Sequence, residues 1–226
     1  MRLLHATTQE FHEFVGTDIP AYAILSHRWE DEEVTYQEVK NELQKAKKKK
    51  GFEKVQQCCT HALKEGLDYV WVDTCCIDKS SSAELSEAIN SMYQWYRLST
   101  VCYAFLSDDS RWWTRGWTLQ ELIAPQIVKF FGSGLRNWIR IGGKRSLLSA
   151  VADRTGIDRE ILRGADPKVC SVSMRMSWAS GRETSRPEDM AYSLIGIFGV
   201  NMPLLYGEGT KAFVRLQVWS SRRCSS

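Results

Sequence analysis

Short apolar runs alternate along this chain with longer segments whose apolar residues fall three and four apart. The run YVWV at 69–72 is aromatic and β-branched and reads as a buried strand. YAIL at 22–25, introduced by Pro20, VCYAFL at 101–106 and IVKFF at 127–131 read the same way. Between them the period changes. Tyr36, Val39 and Leu43 mark a helical segment that Thr35 can cap, with Gly51 expected to break it. Phe52, Val55 and Cys59 line the next helix, which Gly66 closes. Ser82 opens a long helix with Leu85, Ile89, Met92 and Tyr96 on one face, and residues 118–124 form a short one ended by Pro125. Strand and helix in alternation predict an α/β fold with a mostly parallel sheet flanked by helices. After residue 132 the strands stop. Glycines punctuate a loop region, and short helices are predicted over 147–155, 157–162, 172–179 and 210–218, with a buried one over 188–198. The expectation is one domain, 1–226, made of a sheet-containing part (1–132) and a mainly helical part (133–226) packed on it.

Composition narrows the class. With 226 residues, 43% of them hydrophobic and 25% charged, the chain can bury a real core. A net charge of +3 carries no basic excess that would call for nucleic acid. No 18-residue apolar run is present, and the N-terminus turns polar too early for a signal peptide. A cytoplasmic location is therefore expected. The seven cysteines include two adjacent pairs and no CxxC, which reads as free thiols packed as small hydrophobes, with no metal site.

Candidate chemistry gathers at the predicted strand ends, where open parallel sheets bind ligands. Ser26, His27, Arg28 and Trp29 follow the first strand. Asp73 and Asp78 follow the YVWV strand, and Asp108, Asp109 and Ser110 mark the end of a third. Glu121 lies four residues after Trp117 on the short helix, so the two share a face. A carboxylate beside an aromatic surface suits a sugar with an aromatic leaving group. From spacing alone an ion pair with Arg115 or a backbone cap ranks ahead of that reading. A hydrolase built from Ser26 or Cys75 with His27 and Asp73 is disfavoured, since no GxSxG elbow is present.

The segments YAILSHRW (22–29), GFEKVQQCC (51–59), YVWVDTCCIDKSSSAELSEAINSMYQWY (69–96), RGWTLQELIAP (115–125), RMSWAS (175–180) and RPEDMAYSLIGIFGVNMPLLYGEGTKAF (186–213) closely resemble the fungal heterokaryon incompatibility (HET) domain. The resemblance implies a role in non-self recognition and cell death, and a distant likeness to TIR domains with their flavodoxin-like sheet. Some TIR domains cleave NAD at the nicotinamide bond when assembled; others act as scaffolds. Trp117, Thr118, Leu119, Gln120 and Glu121 resemble the TIR catalytic pattern, which makes Glu121 the leading catalytic candidate. Ser26, His27, Arg28, Trp29, Asp73, Asp78, Arg115 and Trp117 become candidate substrate-binding residues. NAD or a related nucleotide is the implied substrate, with no cofactor required. Implied partners are further copies of the chain or other incompatibility proteins. The alternatives are a non-catalytic self-associating scaffold or an inactive shortened member. The segment between Leu106 and Trp117 is shorter than in most members, Glu30 stands where a glycine is common, and the usual acidic continuation after residue 217 is lost. The chain thus reads as a shortened member or a trimmed piece of one.

Overall fold

Buried apolar side chains build the middle of the sheet as the pattern predicts. In the computed structural model, which describes residues 1–107, 111–135 and 137–223, every residue of β3 (Tyr22–His27) and β5 (Val101–Leu106) is buried. Between about 1.5 and 3 kcal/mol accrues to each large apolar side chain removed from water here. The other strands are β1 (Arg2–His5), β2 (Phe11–Glu13), β4 (Tyr69–Trp71), β6 (Val128–Gly132) and β7 (Ile139–Gly143). The seven strands lie in the order β2-β1-β4-β3-β5-β6-β7. β3 runs parallel to β4 and β5, and β5 parallel to β6, in registers such as Ala23↔Val70, Ile24↔Cys102 and Ala104↔Phe130. Counted among themselves, these four strands run 2-1-3-4, so the order reverses between β3 and β5.

The sheet is mixed, which corrects the mostly parallel expectation at one side. β1 pairs antiparallel with both β2 and β4. These two strands are only four and three residues long, and their connection has none of the glycine, asparagine or proline that flags a hairpin. Gln9 takes the positive φ, 62°, that such a turn demands. β7 was expected as loop because its sequence, IRIGG, ends in two glycines. Strand boundaries also move, β6 by one residue to Val128–Gly132. β3 extends through Ser26 and His27, and β4 stops at Trp71.

Two compact units divide the chain. The first, Met1–Ala88, Ser99–Ser107 and Ile127–Gly142, holds the sheet with α1 (Tyr36–Asn41), α2 (Leu43–Ala46) and α3 (Lys50–Lys64). Thr35 caps α1 through a complete capping box with Glu38. α3 lies against β3 and β4. Gly51 does not break a helix but sits inside the first turn of α3. A Cβ there would meet Glu32 O and Glu33 Cα at 2.7 Å, so glycine lets the acidic loop approach the helix. α4 (Ser82–Leu98), capped by Ser81, begins in this unit.

The second unit comprises Ile89–Leu98, Asp108–Gln126 and Gly143–Ser226. Its helices are α5 (Arg111–Thr114), α6 (Thr118–Ile123), α7 (Leu148–Thr155), α8 (Arg159–Arg163), α9 (Val172–Ser177), α10 (Asp189–Tyr192), α11 (Ile195–Phe198) and α12 (Lys211–Arg223). The single helix expected over 188–198 is two short ones, broken at Ser193 and Leu194. Asp108, Asp109, Ser110 and Cys224 lie outside the described residues.

Candidate functional site

In the sheet unit, the carboxyl ends of β3 and β4 carry a charged network. His27, on the last residue of β3, is buried with its Nε2 3.5 Å from Glu33 Oε2 and its Nδ1 3.8 Å from Asp73 Oδ1. These distances are longer than close hydrogen bonds. Lys54, buried on α3, donates to Glu33 Oε1 at 2.6 Å and Arg28 O at 3.1 Å, and stands 3.1 Å from Glu30 Oε2. Burial pushes the Glu33 carboxyl up, but His27, Lys54 and the Glu30 backbone N–H outweigh it and hold it down to about 2. Ser107, just past β5, and Lys54 lower Glu30 against the opposing effect of burial. The network thus draws on the ends of three adjacent parallel strands.

Trp29 covers part of it. Its indole N–H donates to Asp73 Oδ2 at 2.8 Å, and Lys79 Nζ lies 3.5 Å from the ring centre. With 40% of its surface exposed, the ring keeps a face toward solvent. Asp73 sits in the helical turn that follows β4, where Cys76 N–H donates to Val72 O at 2.8 Å. Asp78 has a different task. One oxygen accepts from Ser80 N and Oγ at 3.0 and 2.6 Å, and the other from Gln37 Nε2 at 2.9 Å. Those bonds lower its pKa and tie the loop down.

Neither hydrolase nucleophile fits. Ser26 and His27 are consecutive strand residues and face opposite sides of the sheet. Cys75 is fully buried, and a hydrogen bond from Cys76 together with burial raises its thiol well above the ordinary value. Burial pushes Cys59 up to about 12, as befits a packing residue. Among the described residues no group of three His, Cys, Asp or Glu side chains converges on a metal-sized site, and no helix is long and apolar enough to cross a membrane.

In the helical unit, Glu121 lies on α6, whose six residues are all buried; its own exposure is 5%. Trp117, one turn before it, is hydrogen-bonded to Asp189, whose carboxyl burial raises while Tyr206 Oη, at 3.0 Å, and Trp117 pull it down. Arg182 feels the charge of Glu121. It donates to Thr118 Oγ1 at 2.9 Å and to the backbone oxygen of Arg115, another of the candidates, at 2.8 Å. At the far end of α6, buried Lys144 donates to Leu122 O at 3.1 Å and Pro125 O at 2.5 Å, where a helix favours positive charge.

Sequence reasoning passed over Glu33, Lys54, Arg182 and Lys144. For Lys54 a signal existed. It lies three residues after Gly51 and four before Cys58, on the buried face of α3. For the others none did, because their partners come from distant parts of the chain.

A sheet with a parallel core, flanked by helices and with charged and aromatic side chains at its strand ends, defines an α/β protein. The family model for Heterokaryon incompatibility protein (HET) matches residues 22–111. Vegetative incompatibility protein HET-E-1 of Podospora anserina is 48% identical over 221 residues, an alignment covering 88% of this chain and 16% of that protein. The chain belongs to the fungal heterokaryon incompatibility family, and it spans only 16% of the length of this curated relative. No solved structure matches it.

Proposed function

We propose that this chain is a signalling domain of fungal incompatibility that acts by hydrolysing NAD at its nicotinamide–ribose bond. The observation that carries the reading is Glu121, a carboxylate 5% exposed on a short helix one turn after Trp117. The chemistry asks little of a protein. The C1′–N bond breaks with its electron pair going to the pyridinium nitrogen, so nicotinamide leaves neutral without a proton donor. Water then bonds to C1′ and releases a proton to solvent. What the enzyme must supply is negative charge beside the sugar as positive charge builds there, and acceptors for the ribose hydroxyls. An ionised carboxylate does both. The 2-1-3-4 order of the parallel strands supports a flavodoxin-like, TIR-like core. In the sheet unit, Arg28, Trp29 and Asp73 are candidate nucleotide-binding residues in their own right, tested apart from Glu121. A cytoplasmic setting, where NAD is plentiful, belongs to the same reading.

The test is nicotinamide release from NAD by the purified protein at high concentration, beside Glu121→Gln. Release by the wild type and none by the variant supports the assignment; no release by a folded, self-associated wild type refutes it. Binding of NAD to Arg28→Ala and Trp29→Ala, followed by calorimetry, examines the sheet-unit residues separately.

A second reading, a non-catalytic self-associating domain, is favoured by β7. It is an edge strand whose Ile139 and Ile141 are 60% and 51% exposed, with Arg140 its single charged residue. Such an edge invites pairing. On this reading Ile141→Lys shifts the sedimentation profile toward monomer.

A further inference from the structure

Arg182 is a cation held where neither burial nor helix polarity favours one. It is 7% exposed and lies beside the first turn of α6, the end at which a helix prefers negative charge. The guanidinium is tied to that turn and to its own loop through two of its nitrogens. One terminal nitrogen donates to Thr118 Oγ1 and Arg115 O, and Nε reaches Trp178 O at 3.3 Å. Residues around Arg182 are strapped to the same turn through the backbone. Gly116 N donates to Glu183 O at 2.8 Å and Glu183 N to Thr114 O at 2.6 Å. A Cβ on Gly116 would come within 2.5 Å of the Thr184 Cγ2 methyl, so glycine leaves room for that side chain beside the turn.

Those acceptors are neutral. Neutral acceptors offset only part of the desolvation cost of a buried guanidinium, and a nearby anion offsets more. Thr118 and Glu121 are three residues apart and share a face of α6, so the group that grips Thr118 lies against the face bearing the carboxylate. Burial lowers the Arg182 pKa to about 10, and the charge of Glu121 opposes that fall. The reciprocal effect must exist: what Glu121 does for the cation, the cation does for Glu121.

We propose that Arg182 is a positioning residue for Glu121, anchoring the first turn of α6 and supplying the counter-charge of the carboxylate. The proposal rests on the reading of Glu121 as the group that meets the sugar. In that role Arg182 keeps Glu121 an acceptor-only carboxylate in a fixed place, ready for ribose hydroxyls, rather than a swinging acid. It also gives the loop around residue 182, which lies beyond the segment matched by the family model, a direct part in the chemistry.

The experiment is a carbon-13 titration of the glutamate carboxyls in the full chain, with the Glu121 resonance identified by its loss in Glu121→Gln. In Arg182→Gln the Glu121 midpoint is expected to rise by about one pH unit, the lower end for losing an adjacent opposite charge. In Arg182→Lys, which keeps the charge, it stays near the wild-type value. Nicotinamide release in Arg182→Gln falls roughly tenfold or more in kcat with KM nearly unchanged, and Arg182→Lys recovers part of it. If Arg182→Gln fails to fold, Thr118→Val removes the anchoring hydroxyl at nearly constant volume and is expected to raise the same midpoint. A Glu121 midpoint that stays put in the folded variants overturns the proposal. A midpoint that moves in a protein whose wild type releases no nicotinamide overturns the catalytic reading of Glu121 and leaves the pairing in place.

Discussion

In the sheet unit, Lys54 and Glu33 meet other charged side chains near the strand ends; in the helical unit, Arg182 and Lys144 mostly meet backbone oxygens. The contrast has a physical consequence. A carbonyl is fixed by the fold, so a cation bound to two of them is locked with it. Carboxylates on rotatable side chains can turn away, so the His27–Glu33–Lys54 network can rearrange around a ligand without unfolding a helix. The side-chain arrangement of the sheet unit suits adjustment, and the backbone-anchored one of the helical unit suits a group that must stay in one place. They also differ in span: the sheet-unit network lies within residues 22–111, where the family model matches, whereas Glu121, Lys144 and Arg182 lie beyond it.

The contrast is tested most severely by Glu121→Gln, expected to lower nicotinamide release by about 10²–10³-fold, the usual cost of losing one preorganised electrostatic group. A steady-state assay at matched protein concentration reads it. Lys54→Met follows. It leaves Glu33 and Glu30 near one another without their cation, and breaking a buried pair from one side costs about 3–5 kcal/mol, measured as a fall in the urea midpoint. Lys144→Met uncovers two buried carbonyls and should cost about 1–3 kcal/mol in the same measurement. If Lys144→Met proves costlier than Lys54→Met, the backbone-anchored cation is the more important frame, and the ranking of the two units reverses.

Acid sharpens the comparison further. Because Glu33 is held at about 2 in the fold against an ordinary value of 4.5, its contribution to stability is whole above about pH 4.5 and is lost as pH falls toward 2. Glu33→Gln therefore flattens the acid limb of the stability curve in that window and leaves its shape above it unchanged. The smallest effect belongs to Trp29→Ala. Losing a half-exposed indole with one hydrogen bond and one cation–π contact should cost about 0.5–1 kcal/mol. A larger loss would mean that Trp29 is part of the core rather than a cover over the strand ends.

Much of this architecture was readable along the chain. The four central strands, the long α4 and the capped α1 follow from runs and periods that are local, because propensity and burial act over a few residues. The β1–β2 hairpin was hidden by its shortness and by a turn without the usual residues, and β7 by its glycines. The helix over 188–198 was overcalled because one apolar period ran across a break at Ser193 and Leu194. In the sheet unit Asp73 was singled out by its place at a strand end, and in the helical unit Glu121 by its spacing from Trp117 and by the resemblance to the TIR pattern. Which charges face them was not, since Glu33 and Lys54 are 21 residues apart and Thr118 and Arg182 are 64 apart.

By itself, then, the sequence determined the class of element at most positions, the central strands, the family and the residue types able to meet a nucleotide. Only the tertiary structure decided that the sheet is mixed, that His27 stands between two carboxylates, and that Arg182 grips Thr118 on the helix that carries Glu121. The reason is one of range. Strand and helix formation depend on neighbours within a few residues, whereas the energy of a buried charge depends on what the fold brings within a few ångströms of it, and no local pattern records that distance.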